Sequence, residues 1–304
     1  MHTEISLPVM KPFDFKSVLQ SHGWVDLLPN KYDERECSFS RPLKLASKRV
    51  IHLNVSSSFI RRPYILINIE HKNMISAIDL EEIKRKIIYM LRLNETMEDF
   101  YSLCKNKGYP WKQLKQGKGY LLRSPDIFED LVKVICTTNI QWSGTKRMVS
   151  GLVDKFGCSF SNDDSLKTFP SPRAMSDIPL LEFKSEVQLG YRADYVYLLA
   201  KQIEDGSFLT NYLLDESAST DELKKYLMSV KGIGDYAAST MLMLLGRYDH
   251  IPVDTVFRDF MKAKYFQNKP FTEEKGLQIF DAWGKWKYLA YWYEMINFYN
   301  SDNT

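Results

Sequence analysis

The chain has 304 residues, of which 44% are hydrophobic and 26% charged, and its formal net charge is +3. This composition excludes disordered, collagen-like and disulfide-rich chains, and the length corresponds to about two domains. No apolar run approaches the roughly 18 residues that a membrane-spanning helix needs. The first residues do not combine a charged leader with a long apolar stretch, so we also expect no signal peptide.

The four cysteines, Cys37, Cys104, Cys136 and Cys158, are far apart in the sequence. None of them has a second cysteine at the short spacing of zinc and iron–sulfur sites, so we expect no structural metal cluster. Scattered cysteines without a leader peptide are typical of reduced thiols. The sequence therefore predicts an intracellular protein.

The first third of the chain predicts a small antiparallel sheet with helices beside it. Residues 49–55 and 64–70 alternate with a period of two, which is typical of strands. Residues 56–62 would connect them as a hairpin. Residues 77–93 have apolar positions at helical spacing. Together these segments indicate an α+β unit.

A lysine-rich segment follows the first third. Six residues between positions 105 and 123 are basic and none is acidic: Lys105, Lys107, Lys112, Lys115, Lys118 and Arg123. Such a segment is either a solvated linker or a surface that meets phosphate groups. We place the domain boundary here, with an α+β sheet domain at 1–116 and a helical domain at 117–304.

The remainder of the chain has the apolar spacing of helices. Ser124 and Pro125 predict a helix start, as a cap residue followed by a first-turn proline. Further helices are predicted at 146–156, 192–204 and 221–230. The fold class is therefore mainly α, with an N-terminal antiparallel sheet subdomain.

Two of the predicted helices, at 223–230 and 235–245, are joined by a turn that contains Gly232 and Gly234. Glycines allow a sharp turn and leave bare backbone N–H groups at the start of the second helix, where the helix dipole favours anions. A phosphate bound there is bound without regard to base sequence. A plain helical hairpin would carry the same glycines, so this turn alone does not decide the function.

An aspartate follows the second helix in the segment Ile251-Pro252-Val253-Asp254. Asp254 precedes a predicted helix at 255–265, where an aspartate commonly serves as the N-cap. A carboxylate in that position is ionised and fixed, and it is therefore suited to stabilise positive charge. The sequence leaves open whether Asp254 is a cap alone or a cap and a catalytic group.

The hairpin, the proline and the aspartate together resemble the helix–hairpin–helix and Gly/Pro–Asp motif of the base-excision DNA glycosylases. The segments Tyr-Leu-Leu-Arg at 120–123, Ile-Cys-Thr-Thr-Asn at 135–139 and Leu-Gly-Tyr-Arg-Ala at 189–193 resemble the branch of the 8-oxoguanine and 3-methyladenine II DNA glycosylases. The resemblance runs from about residue 119 to the C-terminus and is fainter in the first third.

The resemblance implies a role for each matching residue. Asp254 would be the catalytic carboxylate. Asn139 would fill the gap left by an extruded base, Tyr191 would wedge into the duplex, and Arg192 would hydrogen-bond the orphaned base. In the hairpin, the backbone of Gly232, Gly234 and Ala237 would hold phosphate, and the carbonyl oxygens of Met228, Val230 and Ile233 would bind K⁺ or Na⁺. No cofactor would be required.

The chain also departs from the family at informative positions. Tyr236 stands where bifunctional members carry a lysine, and Lys231 lies on the other side of the turn, so we predict no Schiff-base chemistry. Tyr291 and Met295 replace a glutamine and a phenylalanine of the 8-oxoguanine enzymes, and Val256 replaces a histidine. We therefore expect a pocket, formed with Tyr236, for a damaged purine, alkylated or oxidised.

Three functions remain open on the sequence. The first is a monofunctional glycosylase that acts as a monomer on double-stranded DNA. Such an enzyme would be found with the DNA, in the nucleoid or the nucleus. The second is a bifunctional 8-oxoguanine glycosylase and abasic-site lyase. The third is a non-catalytic module that binds damaged duplex through the hairpin and gives Asp254 only its capping role.

Overall fold

The computed structural model describes residues 1–9, 12–58, 63–105, 107–161 and 165–301, without the side chains of 115, 300 and 301. The strands are β1 (His2–Pro8), β2 (Lys31–Asp33), β3 (Ser38–Lys44), β4 (Val50–Ser58) and β5 (Tyr64–Glu70). The helices are α1 (Phe15–Leu19), α2 (Ala77–Leu91), α3 (Glu98–Lys105), α4 (Ile127–Thr137), α5 (Trp142–Phe156), α6 (Pro172–Ser176), α7 (Leu180–Glu186), α8 (Arg192–Glu204), α9 (Thr220–Met228), α10 (Asp235–Leu245), α11 (Thr255–Lys264), α12 (Glu273–Gln278) and α13 (Lys287–Ser301). Single 3₁₀ turns lie at Trp24–Asp26, Trp111–Gln116, Thr210–Leu214 and Asp281–Trp286.

The chain forms two compact units. The first consists of Met1–Glu95 and Tyr120–Thr210, and the second of Thr96–Gly119 and Asn211–Thr304. This division does not follow chain order, because the lysine-rich segment packs with the C-terminal helices. The domain boundary at residues 116–117 therefore stays a prediction.

The sheet belongs to the first unit. It is antiparallel, and its strand order is β1-β5-β4-β3-β2. One face is apolar, because Ile51, Leu53, Ile65 and Ile67 are fully buried. The prediction of strands at 49–55 and 64–70 is confirmed. Of the hairpin connection expected at 56–62, residues 56–58 belong instead to β4, where they pair with β5, and residues 59–62 lie outside the described residues.

Helix α4 is attached to the sheet by buried charges. Glu129 of this helix pairs with Arg41 of β3 at 2.8 Å and with Lys133 one turn later at 2.6 Å. Burial alone would raise the pKa of Glu129, but the two cations outweigh it and hold the pKa at about 2. The carboxylate therefore stays ionised, and the helix is fixed in a position from which its C-terminal end leads to Asn139.

The predicted start of α4 is wrong by a few residues. Asp126, and not Ser124, is the N-cap, and its carboxylate accepts a hydrogen bond from the Glu129 amide at 3.0 Å. Ser124 is fully buried, and its hydroxyl accepts a hydrogen bond from Lys133 Nζ at 3.3 Å. The local Ser-Pro pattern did not reveal this long-range partner.

The second unit is helical. Helix α10 occupies the residues predicted for it, and Gly246 ends it in the left-handed region at φ 88°. The predicted helix after Asp254 is also present, as α11. Among the described residues, no helix combines the length and apolar character that a bilayer crossing requires.

Candidate functional site

The hairpin of the second unit consists of α9, a tight turn and α10. Helix α9 begins with a capping box formed by Ser219 and Glu222. In the turn, Gly232 adopts a φ of 94°, which is costly for residues with a side chain, and Ile233 is buried at 4% exposure. The buried isoleucine anchors the turn against the unit, so the glycines on either side of it are held in place.

The N-terminal end of α10 is open. Gly234 is its N-cap and provides no side-chain acceptor for the first amides of the helix. Gly234 is exposed, and a Cβ atom added there would meet nothing within 4 Å. Asp235, the acidic residue of the first turn, is paired with Lys224 at 2.6 Å, and the first-turn N–H groups without intrahelical partners are available to an anion. Of the predicted phosphate-binding residues, Gly232 and Gly234 lie at the surface of the turn, whereas the side chain of Ala237 is buried.

Asp254 is the N-cap of α11. Its carboxylate accepts a hydrogen bond from the Phe257 amide at 2.7 Å. Burial raises the pKa of Asp254, and the backbone amides of Phe257, Asp254 and Val256 and the charge of Arg258 offset part of that rise. The residue is half-buried. The carboxylate is thus fixed in direction and partly removed from water without being enclosed in the core.

Tyrosines of α13 lie beside this carboxylate. Burial raises the pKa of Tyr291, and the negative charge of Asp254 is the next cause. Burial also keeps the pKa of Tyr288 well above its usual value, with contributions from Tyr291, Tyr236 and Asp254. These tyrosines therefore keep their protons, and each phenol can donate a hydrogen bond. Tyr288 was not predicted as a site residue, although it lies three positions before Tyr291 on the same helix face.

The four predicted pocket residues differ in exposure. Tyr291 and Met295 are 3% and 5% exposed, and the Tyr291 ring packs against Phe257 at 5.5 Å between ring centroids. Val256 is 46% exposed, and Tyr236 is half-buried on the first turn of α10. Tyr291 and Met295 are thus part of the aromatic packing behind the carboxylate, whereas Val256 lies at the surface.

In the first unit, Arg192 joins the two segments that were predicted to enter DNA. Its guanidinium donates to the carbonyl oxygen of Thr138 and, at 3.4 Å, to that of Asn139. It also stacks on the ring of Tyr191 at 4.5 Å. Arg192 is buried at 5% exposure, so it positions its neighbours in this structure. Its contact with an orphaned base stays a prediction.

The two neighbours of Arg192 are open to solvent. Tyr191 is 50% exposed, and Asn139 is exposed with a φ of 48°. A left-handed backbone is tolerated by asparagine better than by most residues. Two predicted contact residues are therefore brought together at the surface of one unit, through a hydrogen-bonded arginine that the local pattern did not reveal.

The predicted cation ligands are backbone carbonyl groups at the C-terminal end of α9 and in the turn. The Val230 carbonyl also accepts a hydrogen bond from the Ile233 amide at 3.0 Å. Carbonyl groups of a last helical turn lack intrahelical donors and lie at the negative end of the helix dipole. The donor set of Met228, Val230 and Ile233 is therefore compatible with a monovalent cation.

Comparisons with known proteins identify the fold. No family model matches the chain. The N-glycosylase/DNA lyase of Saccharomyces cerevisiae is 24% identical over 159 residues, which is 49% of this chain and 42% of that relative. The chain thus spans less than half the length of the curated relative it matches.

Solved structures match almost the whole chain. The 3-methyladenine DNA-glycosylase from Archaeoglobus fulgidus is 18% identical, with a TM-score of 0.75 and coverage of 96% of this chain and 97% of that one. MBOgg1 in complex with a low-affinity DNA ligand is 21% identical, with a TM-score of 0.71 and coverage of 97% and 96%. The apo 8-oxoguanine glycosylase/lyase from Clostridium acetobutylicum is 17% identical, with a TM-score of 0.70 and 97% coverage of both chains.

The chain therefore has the fold of the helix–hairpin–helix DNA glycosylases. The resemblance inferred from the sequence is confirmed at this level, including the N-terminal antiparallel sheet. Both branches named by the sequence, the 8-oxoguanine and the 3-methyladenine enzymes, are represented among these structures.

Proposed function

We propose that this protein is a monofunctional DNA glycosylase that removes a damaged purine, alkylated or oxidised, from double-stranded DNA. The observation that carries the proposal is the carboxylate of Asp254, which is held by the Phe257 amide and partly desolvated. It follows, in the same unit, a hairpin whose second helix begins with open amides. Phosphate binding and cation stabilisation are thus combined in one short stretch of chain.

Binding would begin at the phosphate backbone. The amides at the start of α10 hold one phosphate, and Tyr191 and Asn139 take the place of the extruded nucleotide in the stack. Extrusion costs a few kcal/mol, and less for a damaged or mispaired base. Arg192 keeps the Asn139 backbone and the Tyr191 ring in position, so the two side chains need little reordering when DNA binds.

The chemical step would break the bond between C1′ of the sugar and the base nitrogen. The bonding electrons leave with the base, and the sugar acquires oxocarbenium character. Ionised Asp254 stabilises that positive charge, and water then adds to C1′ and loses a proton. Fixed electrostatic stabilisation of this kind contributes about 3–4 kcal/mol. The products are a free base and an intact strand with an abasic site.

The substrate class is inferred from the surroundings of Asp254. Of the three tyrosines on that side of the unit, Tyr236 is half-buried and can offer its ring to an extruded base, whereas Tyr288 and Tyr291 are buried in the aromatic packing behind the carboxylate. Electron-poor rings are attracted by aromatic faces, and alkylated purines carry positive charge. The ring of Tyr236 therefore supports a positively charged, alkylated purine as one substrate of the proposed enzyme.

A bifunctional enzyme is the second candidate, because two of the matched proteins bear names that include a lyase. Tyr236 argues against it, since a phenol cannot form a Schiff base with the abasic sugar. Lys231 is exposed on the other side of Gly232. Borohydride added during turnover should trap no covalent protein–DNA adduct with wild-type protein, and a trapped adduct would favour the second candidate.

The hairpin carbonyl groups of Met228, Val230 and Ile233 would hold K⁺ or Na⁺. A bound ion would supply positive charge to the turn, which would favour a phosphate there. The catalytic roles proposed above belong to the side chains of the protein, and we propose no other cofactor.

The decisive experiment is single-turnover excision over a panel of alkylated, oxidised and mispaired bases in duplex DNA. Wild-type protein should release at least one damaged purine. Asp254→Asn should lower that rate by roughly 10²- to 10³-fold, because the charge is lost. Its affinity for the same duplex should be retained, since the hairpin is unchanged. Full activity of Asp254→Asn would remove the carboxylate from the mechanism, and a silent panel would favour a binding module.

A further inference from the structure

The lysine-rich segment of the second unit has no role in the function proposed so far. Lys105 ends α3, Lys107 follows it, Lys112 lies in the 3₁₀ turn, and Lys118 comes just after that turn. We name Lys105, Lys107, Lys112 and Lys118 the lysine strip. The other two basic residues do not belong to it: Arg123 lies in the first unit over the ring of Tyr89 at 4.5 Å, and the side chain of Lys115 lies outside the described residues.

The strip is held in a defined position. The Tyr101 hydroxyl donates to the Lys118 carbonyl at 2.8 Å. The Trp111 indole donates to the Ala290 carbonyl at 3.3 Å, and the Gly119 amide donates to the Tyr293 hydroxyl at 3.0 Å. The strip is therefore part of a packed structure, which distinguishes it from a solvated linker.

The positive charge of the strip is not neutralised. Within the described part of the chain, none of its four lysines has a carboxylate oxygen within 4.0 Å, whereas Lys264, Lys285 and Lys287 of the same unit are all in ion pairs. Lys105, Lys107 and Lys112 are exposed, and Lys107 lies over the Trp283 ring at 5.5 Å. Tyr109, between two of the lysines, is 62% exposed. The strip thus combines cations that have no carboxylate partner among the described residues with an exposed aromatic side chain beside them.

The strip is attached to the helix that carries the tyrosines of the candidate site. Trp111 and Gly119, which lie beside the strip lysines in the chain, bond to Ala290 and Tyr293 of α13. These two residues flank Tyr291, whose pKa is raised in part by the charge of Asp254. A polyanion that lies along the strip would therefore be held by a segment that is hydrogen-bonded to the helix beside the proposed catalytic carboxylate.

We propose that the lysine strip is a second contact surface for the phosphates of duplex DNA, separate from the hairpin. The proposal rests on the glycosylase function proposed above. The strip reads no base sequence, because phosphates carry none. Its contribution is affinity that falls with salt, and it holds undamaged and damaged duplex equally well during the search for a lesion.

The test is the salt dependence of DNA affinity. Fluorescence anisotropy with an undamaged duplex and a lesion-containing one, at several KCl concentrations, gives the slope of log Kd against log salt. Lys105→Gln combined with Lys112→Gln should reduce the slope by about 1.8 and weaken binding by roughly 60-fold at 0.1 M salt, at about 0.9 per phosphate contact. Both duplexes should be affected alike.

A matched control makes the same change of charge elsewhere in the second unit. Lys269 and Lys275 are exposed and lie outside the strip, so Lys269→Gln combined with Lys275→Gln should leave the slope unchanged. Equal slopes for the strip variant and wild type would overturn the proposal, provided that wild-type protein binds and excises. If wild-type protein neither binds nor excises, the proposed glycosylase function is contradicted. A loss confined to lesion DNA would also overturn the proposal.

Discussion

Helices α10 and α11 follow one another in the chain but begin in opposite ways. Helix α10 begins after Gly234, which provides no acceptor for the first amides. Helix α11 begins after Asp254, whose carboxylate accepts from the Phe257 amide. The first start keeps open amides that suit an anion, and its own first-turn carboxylate, on Asp235, is paired with Lys224. The second start is saturated from within, and it presents the negative charge of its own cap.

The difference separates the two ligands of the proposed reaction. A DNA phosphate needs bare amides, and an unpaired carboxylate that capped those amides would repel the phosphate. An oxocarbenium-like sugar is stabilised by a carboxylate, and the positive end of a helix with bare amides would repel the sugar. In the first unit, α5 and α8 also lack a side-chain cap, and they begin close to Asn139 and Tyr191. Helix α7 also lacks a side-chain cap, so a missing cap does not by itself identify a binding residue.

The largest effect is expected from giving α10 a carboxylate N-cap like that of α11. Gly234 has a φ of −90° and open space around its Cβ position, so Gly234→Asp should fold normally and cap α10. The new charge should repel phosphate and remove a charge-assisted contact. We expect duplex affinity to fall by roughly 10- to 100-fold, which corresponds to about 1.5–3 kcal/mol.

Gly234→Ser is the matched control for that change. Serine also caps the helix, but without charge, so its affinity should lie between those of wild type and Gly234→Asp. Thermal unfolding should show both variants at least as stable as wild type. Unchanged affinity in Gly234→Asp would mean that no phosphate binds at the start of α10.

The second way to sharpen the comparison is pH, since the N-cap of α11 is a carboxylate and the N-cap of α10 is a glycine. Burial raises the pKa of Asp254, so its carboxylate takes up a proton at a higher pH than a free aspartate. Single-turnover excision should fall as pH decreases, with a midpoint above 3.8 and a limiting slope of about tenfold per pH unit. The residual rate of Asp254→Asn should not show this step. A wild-type excision rate that stays constant as pH falls through this range would contradict the proposal that ionised Asp254 stabilises the charge on the sugar.

Local patterns predicted the parts of this molecule that local physics determines. The strand β5 and the helices α8 and α10 lie at the predicted residues, and Asp254 is the predicted cap. The strand β3 was not predicted, because Arg41 and Pro42 interrupt its apolar alternation. Arg41 is tolerated there only because Glu129, 88 positions later, neutralises it. No sequence pattern carries such a pairing.

The candidate site divides in the same way. The hairpin glycines and the capping aspartate could be predicted from the sequence, since the local backbone conformation favours each of these residue types at its position. The hydrogen bond from Arg192 to the Thr138 carbonyl joins positions 54 residues apart, and it is a property of the tertiary fold. The same is true of Tyr288 beside Asp254. The sequence indicated which groups could act, and the tertiary contacts show which neighbours fix them.

The smallest expected effect separates the two roles of Asp254 itself. Asp254→Asn keeps the cap, and Asp254→Ala removes it, so the alanine variant should be less stable than the asparagine variant by about 1 kcal/mol in thermal or urea unfolding. Both should lose excision to the same degree, because both lose the charge. The raised pKa means that the folded state binds the Asp254 proton more tightly than the unfolded state does. Ionisation therefore lowers wild-type stability as pH rises through the folded pKa. At pH 7 the asparagine variant should then be at least as stable as wild type. If excision followed stability, with Asp254→Asn active and Asp254→Ala inactive, the aspartate would be a cap alone and the contrast between the two helix starts would have no chemical meaning.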